Sequence, residues 1–142
     1  MRYQKKYNNH FRWRGFRLLG IDGMKMAMPA SKQLRKHFPP NANKSDIGKS
    51  LQGLLVGLVG LFNGICYDFK ITSSKKSEQS AARMLIKGNI GKTDLLMCDR
   101  AFPDYHTLAL LDSQDAQYLF HLSKNRFHRL IRKTTPSGRK DE

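Results

Sequence analysis

Two acidic residues close apolar runs in this chain. Asp22 follows Leu18-Leu19-Gly20-Ile21, and Asp99 follows Leu95-Leu96-Met97-Cys98. An acid at the end of a buried strand stands where open α/β sheets bind ligands and metals. Each acid taken singly also reads as a turn former or a helix cap, since Asp is common in both roles. As a pair they read differently. Two carboxylates on neighbouring strands repel one another unless a cation lies between them. Their hard oxygen donors suit Mg²⁺ or Mn²⁺. Ions held this way serve phosphodiester cleavage by activating water and stabilising the leaving oxygen. Cys66 and Cys98 lie in apolar runs and read as small hydrophobes. His37, His106, His121 and His128 show no metal-ligand spacing with cysteine and read as structural or surface groups.

The elements that must position the two acids follow from periodicity. Residues 16–21 (FRLLGI) read as a strand ending at Asp22, with a turn at Gly23 and a second strand over 24–28 that Pro29 stops. Residues 30–50, rich in Lys, Pro, Asn and Ser, read as a loop or insertion. The uncharged run 51–62 reads as a buried strand, and Asn63-Gly64 is a hairpin signal. After it, Ile65, Tyr67, Phe69 and Ile71 alternate with Cys66, Asp68, Lys70 and Thr72, which predicts a strand with one face exposed. Ser77 caps a helix over 78–87 that Gly88 ends. Residues 94–98 form a buried strand delivering Asp99. Asp104 then caps a helix with Tyr105, Leu108 and Leu111 on one face, and the last strand covers about 117–123. The expected class is α/β: a mixed sheet of three antiparallel strands followed by alternating helix and strand. A basic segment (1–15) precedes the core (16–126), and a basic, disordered tail (127–142) follows it.

The chain has 142 residues, the size of one domain, with 26 Lys+Arg against 11 Asp+Glu and a formal charge of +15. Such an excess points to a polyanionic partner. It is uneven. Residues 1–40 carry ten cations and one acid (+9), residues 41–122 nine and eight (+1), and residues 123–142 seven and two (+5). Two cysteines exclude a disulfide-rich scaffold and a four-cysteine zinc site. The opening MRYQKKYNNHFRWRG has no apolar core, which excludes a secretory signal and makes a cytoplasmic location the expectation. Residues 51–66 are uncharged, but sixteen residues fall short of the roughly twenty that cross a bilayer. A membrane partner is therefore not expected.

RLLGIDGMKMAMP resembles the first-aspartate motif of the insertion-sequence-four group of DDE transposases: an apolar strand, Asp-Gly, and a short strand ending before Pro. LLMCDRAFPDYHTLALLDSQDAQYLFHLSKN resembles their second-aspartate motif, with Asp-Arg, a small residue and an aromatic before a helix and a strand. The hairpin through SEQSAARMLI follows the same course, so the resemblance spans about residues 11–126. It implies a ribonuclease-H-like fold, with Asp22 and Asp99 as catalytic ligands of two Mg²⁺ or Mn²⁺ ions. It also implies DNA strand cleavage and transfer without a covalent protein–DNA intermediate. Arg100 matches the Arg of the motif, as a DNA-phosphate contact, a carboxylate-orienting group or a structural ion pair. Met24 departs from the Thr or Ser usual after Asp-Gly. The third acid of the family, in a Tyr-x-x-Arg-x-x-x-Glu helix, has no counterpart in the sequence. Glu142 lies in the tail, and Glu78 reads as a helix-start charge. The resemblance thus implies a truncated core with impaired catalysis.

Other expected DNA contacts are cationic. Arg12 and Arg14 interleave with Trp13 and Phe16, a mixture suited to base stacking and phosphate contact, although Trp13 equally reads as packing on the sheet. Lys124, Arg126 and Arg129 are the corresponding candidates near the other end, against the alternative of a solvated face. The expected partners are DNA (transposon ends and target) and further copies or full-length transposase, with no small-molecule substrate. The competing reading is a non-catalytic basic DNA-binding protein that regulates the complete enzyme.

Overall fold

The computed structural model describes residues 12–38 and 51–121. The tail 127–142 and the candidate contacts Lys124, Arg126 and Arg129 lie outside the described residues, as does most of segment 1–15.

The strand carrying Asp22 is longer than the sequence pattern predicts. β2 (Phe16–Met28) runs unbroken through Asp22-Gly23. No turn forms at Gly23, because the antiparallel neighbour β3 (Leu51–Gly60) pairs with β2 from Leu19↔Gly60 to Met28↔Leu51 without a gap. A continuous ladder of mostly apolar cross-strand pairs outweighs the freedom that one glycine offers. Ahead of β2, the two-residue β1 (Arg12–Trp13) folds back on it through Arg14-Gly15, both at positive φ (49° and 87°), the geometry of a tight hairpin. A short α1 (Lys32–His37), capped by the Ser31 hydroxyl, occupies part of the segment expected to be a loop. It buries nothing, so no apolar periodicity could announce it.

β4 (Cys66–Ser73) forms the predicted hairpin with β3, with Gly64 at φ 65° in the turn. Its faces are the reverse of those expected. The register slips between Leu58↔Asp68 and Val59↔Cys66, so Tyr67 is an extra residue. Such a bulge sends the residues beyond it to the other side. Phe69 and Ile71 are exposed as a result, while Asp68 turns toward the helices and accepts a hydrogen bond from Asn89 (3.0 Å). Cys66 is also exposed rather than packed.

α2 (Glu78–Asn89) starts at the Ser77 cap and buries Ala81, Ala82, Leu85 and Ile86, an apolar stripe at helical spacing. It continues through Gly88, where an end was expected, because Asn89 ties to both Leu85 O and Asp68 (3.0 Å each). β5 (Asp94–Cys98) follows, and then α3 (Tyr105–Ser113), whose Asp104 cap accepts from Thr107 N (2.7 Å). Thr107 and Leu111 are the buried positions of α3, whereas Tyr105 is exposed. Buried Phe102 and Pro103 set this orientation just ahead of the helix. β6 (Gln117–Phe120) ends the described chain.

The sheet order is β4-β3-β2-β5-β6, with β3 antiparallel to both neighbours and β2, β5 and β6 mutually parallel. The crossovers β4-α2-β5 and β5-α3-β6 advance in one direction across the sheet. Right-handed crossovers of that kind place both helices on the same face. One core results, in which Leu19, Ile21, Leu54, Val56, Leu58 and Leu96 meet the buried residues of α2 and α3. Met24, Leu55, Val59, Phe69 and Ile71 line a groove on the opposite face. Among the described residues no helix covers it.

Arg83 of α2 bonds Asp104 at 2.6 Å. Burial alone would raise the Asp104 carboxyl, but the Thr107 hydrogen bonds and Arg83 outweigh it and hold the group below the usual range. Asp68 is held low chiefly by Asn89. A depressed folded-state value stabilises the fold above the ordinary carboxylate range, and the benefit fades as pH falls through and below about 4. Asp104→Asn keeps a capping oxygen while removing this titration. Urea unfolding is therefore expected to show a smaller stability loss between pH 7 and pH 3.5 in the variant than in the wild type.

Candidate functional site

Strand register builds the site. β2 and β5 pair in parallel as far as Ile21↔Cys98, and β5 and β6 as far as Cys98↔Phe120. The next residues along the chain are Asp22, Asp99 and His121, each one residue past a final pair of strands spaced about 4.8 Å apart. All three line one groove of about 780 Å³ at the carboxyl ends of β5 and β6. Its other walls are almost wholly apolar: Val59, Leu61, Met97, Leu119 and Phe120. Asp22 and Asp99, singled out from sequence, are thus brought together. Asp22 lies within a strand rather than at the end of one.

Each carboxylate is fixed by its own following amide. Gly23 N–H donates to Asp22 Oδ1 (2.8 Å), and Arg100 N–H donates to Asp99 Oδ1 (2.6 Å). Behind Asp22, the glycine makes room for an acid. A Cβ at Gly23 would stand 3.2 Å from Glu78 Cδ and 3.3 Å from its Oε1. Glu78 therefore packs against β2 and is not among the groove residues. Gly20 has a similar role, since a Cβ there would lie 2.7 Å from Leu61 Cδ2, in the groove wall. Burial pushes the Cys98 thiol up to about 12. It is a neutral thiol near pH 7, adding no charge to the site and offering no nucleophile.

Two adjacent carboxylates in a concave site fit a divalent ion such as Mg²⁺, which takes one or two carboxylates and completes its shell with water or phosphate oxygens. Among the described residues, no three His, Cys, Asp or Glu side chains are grouped to enclose an ion. Arg100 is next to Asp99 and exposed. Arg12 and Arg14 are elsewhere. Arg12 pairs with Arg17, five residues before Asp22, or about 17 Å along the strand. There Arg12 Nη1 donates to Gly15 O (2.8 Å), and the Arg14 guanidinium stacks on the exposed Trp13 ring at 5.0 Å. Arg17, in the same basic stretch, is committed to the fold through Asp94, at 2.8 and 2.9 Å.

His121 is the residue that sequence reasoning set aside. Its signal was the one that marked the two acids: it follows an apolar run, Tyr118-Leu119-Phe120.

No family model matches the chain, and no curated protein is similar to it at a significant level. Among the described residues, no helix is long and apolar enough to cross a membrane.

Proposed function

We propose that this chain is a ribonuclease-H-like core of a DDE transposase. In this reading it binds DNA and holds divalent metal between Asp22 and Asp99 for phosphodiester cleavage and transfer. The observation carrying the proposal is the Ile21↔Cys98 pairing, which sets both acids side by side in one groove. The strand order, with its single antiparallel β3 between parallel β4 and β2, supports the ribonuclease-H-like part.

Bound metal would supply charge to polarise a phosphodiester and lower the pKa of water. The protein's own groups have simpler tasks. Asp22 and Asp99 hold the cation, and the Gly23 and Arg100 amides fix their orientation. Arg12 and Arg14 meet DNA about 17 Å from the acids. The partners are DNA and further copies or the full-length transposase.

The test is nicking of supercoiled DNA by the purified chain in Mg²⁺ or Mn²⁺. Slow, divalent-dependent nicking that disappears in Asp99→Ala is expected. Robust cleavage that survives Asp99→Ala would overturn the site. The second reading, a non-catalytic DNA-binding regulator, draws on the formal charge of +15. It predicts no nicking, with salt-sensitive DNA binding unchanged by Asp22→Asn plus Asp99→Asn.

A further inference from the structure

We propose that His121 is the third functional side chain of this groove, donating an imidazole N–H to a phosphate oxygen of the DNA strand held at Asp22 and Asp99. The inference rests on the two-acid reading above and adds a substrate contact to it.

Three observations carry it. First, register: His121 directly follows the last β5–β6 pair, as Asp99 follows the last β2–β5 pair, so the three residues form one row. Second, composition: the groove is lined by Gly20, two acids, His121 and otherwise apolar or thiol side chains. Among the described residues, His121 is the one lining residue with a side-chain nitrogen donor. A phosphate brought to two carboxylates needs positive or donor groups to offset their repulsion. Metal supplies this on one side and His121 on the other. Third, spacing: His121 is one strand from Asp99 and two from Asp22, or about 5 and 10 Å. That is too wide for His121 and Asp22 to share an ion, in keeping with the lack of a three-residue ligand group among the described residues. It does suit a phosphate between them. An ion–oxygen contact is about 2.1 Å and an N–H···O contact about 2.9 Å, and one phosphate group bridges the rest. His121 is exposed at a strand end, so its replacement leaves the core intact.

The experiment separates metal from phosphate. Mn²⁺ affinity of the full chain is measured by electron paramagnetic resonance. Affinity for a short DNA duplex is measured in Mn²⁺ and in EDTA, and the ratio isolates the groove from the cationic flanks. His121→Ala is expected to cut that Mn²⁺-dependent gain about tenfold. Mn²⁺ affinity should stay within about twofold, and His121→Gln, which keeps an N–H donor, should recover most of the gain. An unchanged gain in His121→Ala would overturn the phosphate contact. So would a loss of Mn²⁺ affinity matching that of Asp99→Asn, which would make His121 a ligand instead. Undiminished Mn²⁺ binding in Asp22→Asn and Asp99→Asn would overturn the acid site itself, a failure distinct from that of His121.

Discussion

Asp94→Ala is expected to cost about 3 kcal/mol of folding stability, the low end for breaking a buried ion pair from one side. Asp94 is 3% exposed and does three jobs. Its oxygens take Arg17 Nε at 2.8 Å and Nη2 at 2.9 Å, and Oδ2 also accepts from Gly91 N–H at 2.9 Å. Arg17 in turn donates to Asn89 O (2.9 Å) and lies 4.9 Å over the Tyr67 ring. Its guanidinium is held above the ordinary value, chiefly by the Asp94 hydrogen bond. Removing the carboxylate leaves a partly buried cation and an unpaired amide, and both are costly. Arg17→Met combined with Asp94→Leu removes both charges and should cost less than the sum of the single changes. Urea unfolding followed by circular dichroism measures all three variants. A loss below about 1 kcal/mol for Asp94→Ala would show that solvent already screens the pair. The pair matters beyond stability, because Arg17↔Asp94 is the first rung of the β2–β5 ladder. That ladder runs on to Ile21↔Cys98 and so sets the register of the acids.

Mn²⁺ is expected to stabilise the folded chain by about 2.7 kcal/mol at a hundred times its Kd, and chelation to remove that stabilisation completely. Asp22→Asn and Asp99→Asn should each abolish the effect. In EDTA the order reverses, and each variant should melt slightly above the wild type, because two neighbouring carboxylates repel when no cation joins them. Thermal melts with and without Mn²⁺ give both comparisons. A Mn²⁺ shift that persists in both variants would place the ion elsewhere. Wild-type melting above both variants in EDTA would mean that the carboxylates are not close enough to repel.

Much of this architecture was legible because the hydrophobic pattern was strong. The β3 run, the Asn63-Gly64 hairpin, the Ser77 and Asp104 caps and the β5 strand all carry local signals that tertiary packing reinforces. The misreadings occurred where partners decide. Gly23 signalled a break, yet a matched neighbour held β2 straight. The alternation in β4 was real, but one extra residue at Tyr67 turned it inside out. Gly88 signalled a stop that Asn89's ties to Asp68 and Leu85 overrode. The two acids were visible as polar residues closing apolar runs. His121 fits the same rule, but a lone histidine carries no metal spacing. Its place beside Asp99 follows only from the pairing of β5 with β6.

The unbroken course of β2 gives the site two halves of different stiffness. Asp22 is embedded in a ladder that continues on the β3 side to Met28, whereas Asp99 and His121 lie just past the last rungs of their strands. Mid-strand backbone opens only with much of the fold, while strand ends fray locally at little free-energy cost. In the proposed complex with DNA, the conformational entropy lost on docking would therefore fall on the Asp99 and His121 side. Asp22 behaves as a fixed anchor against which the other two residues are drawn into place.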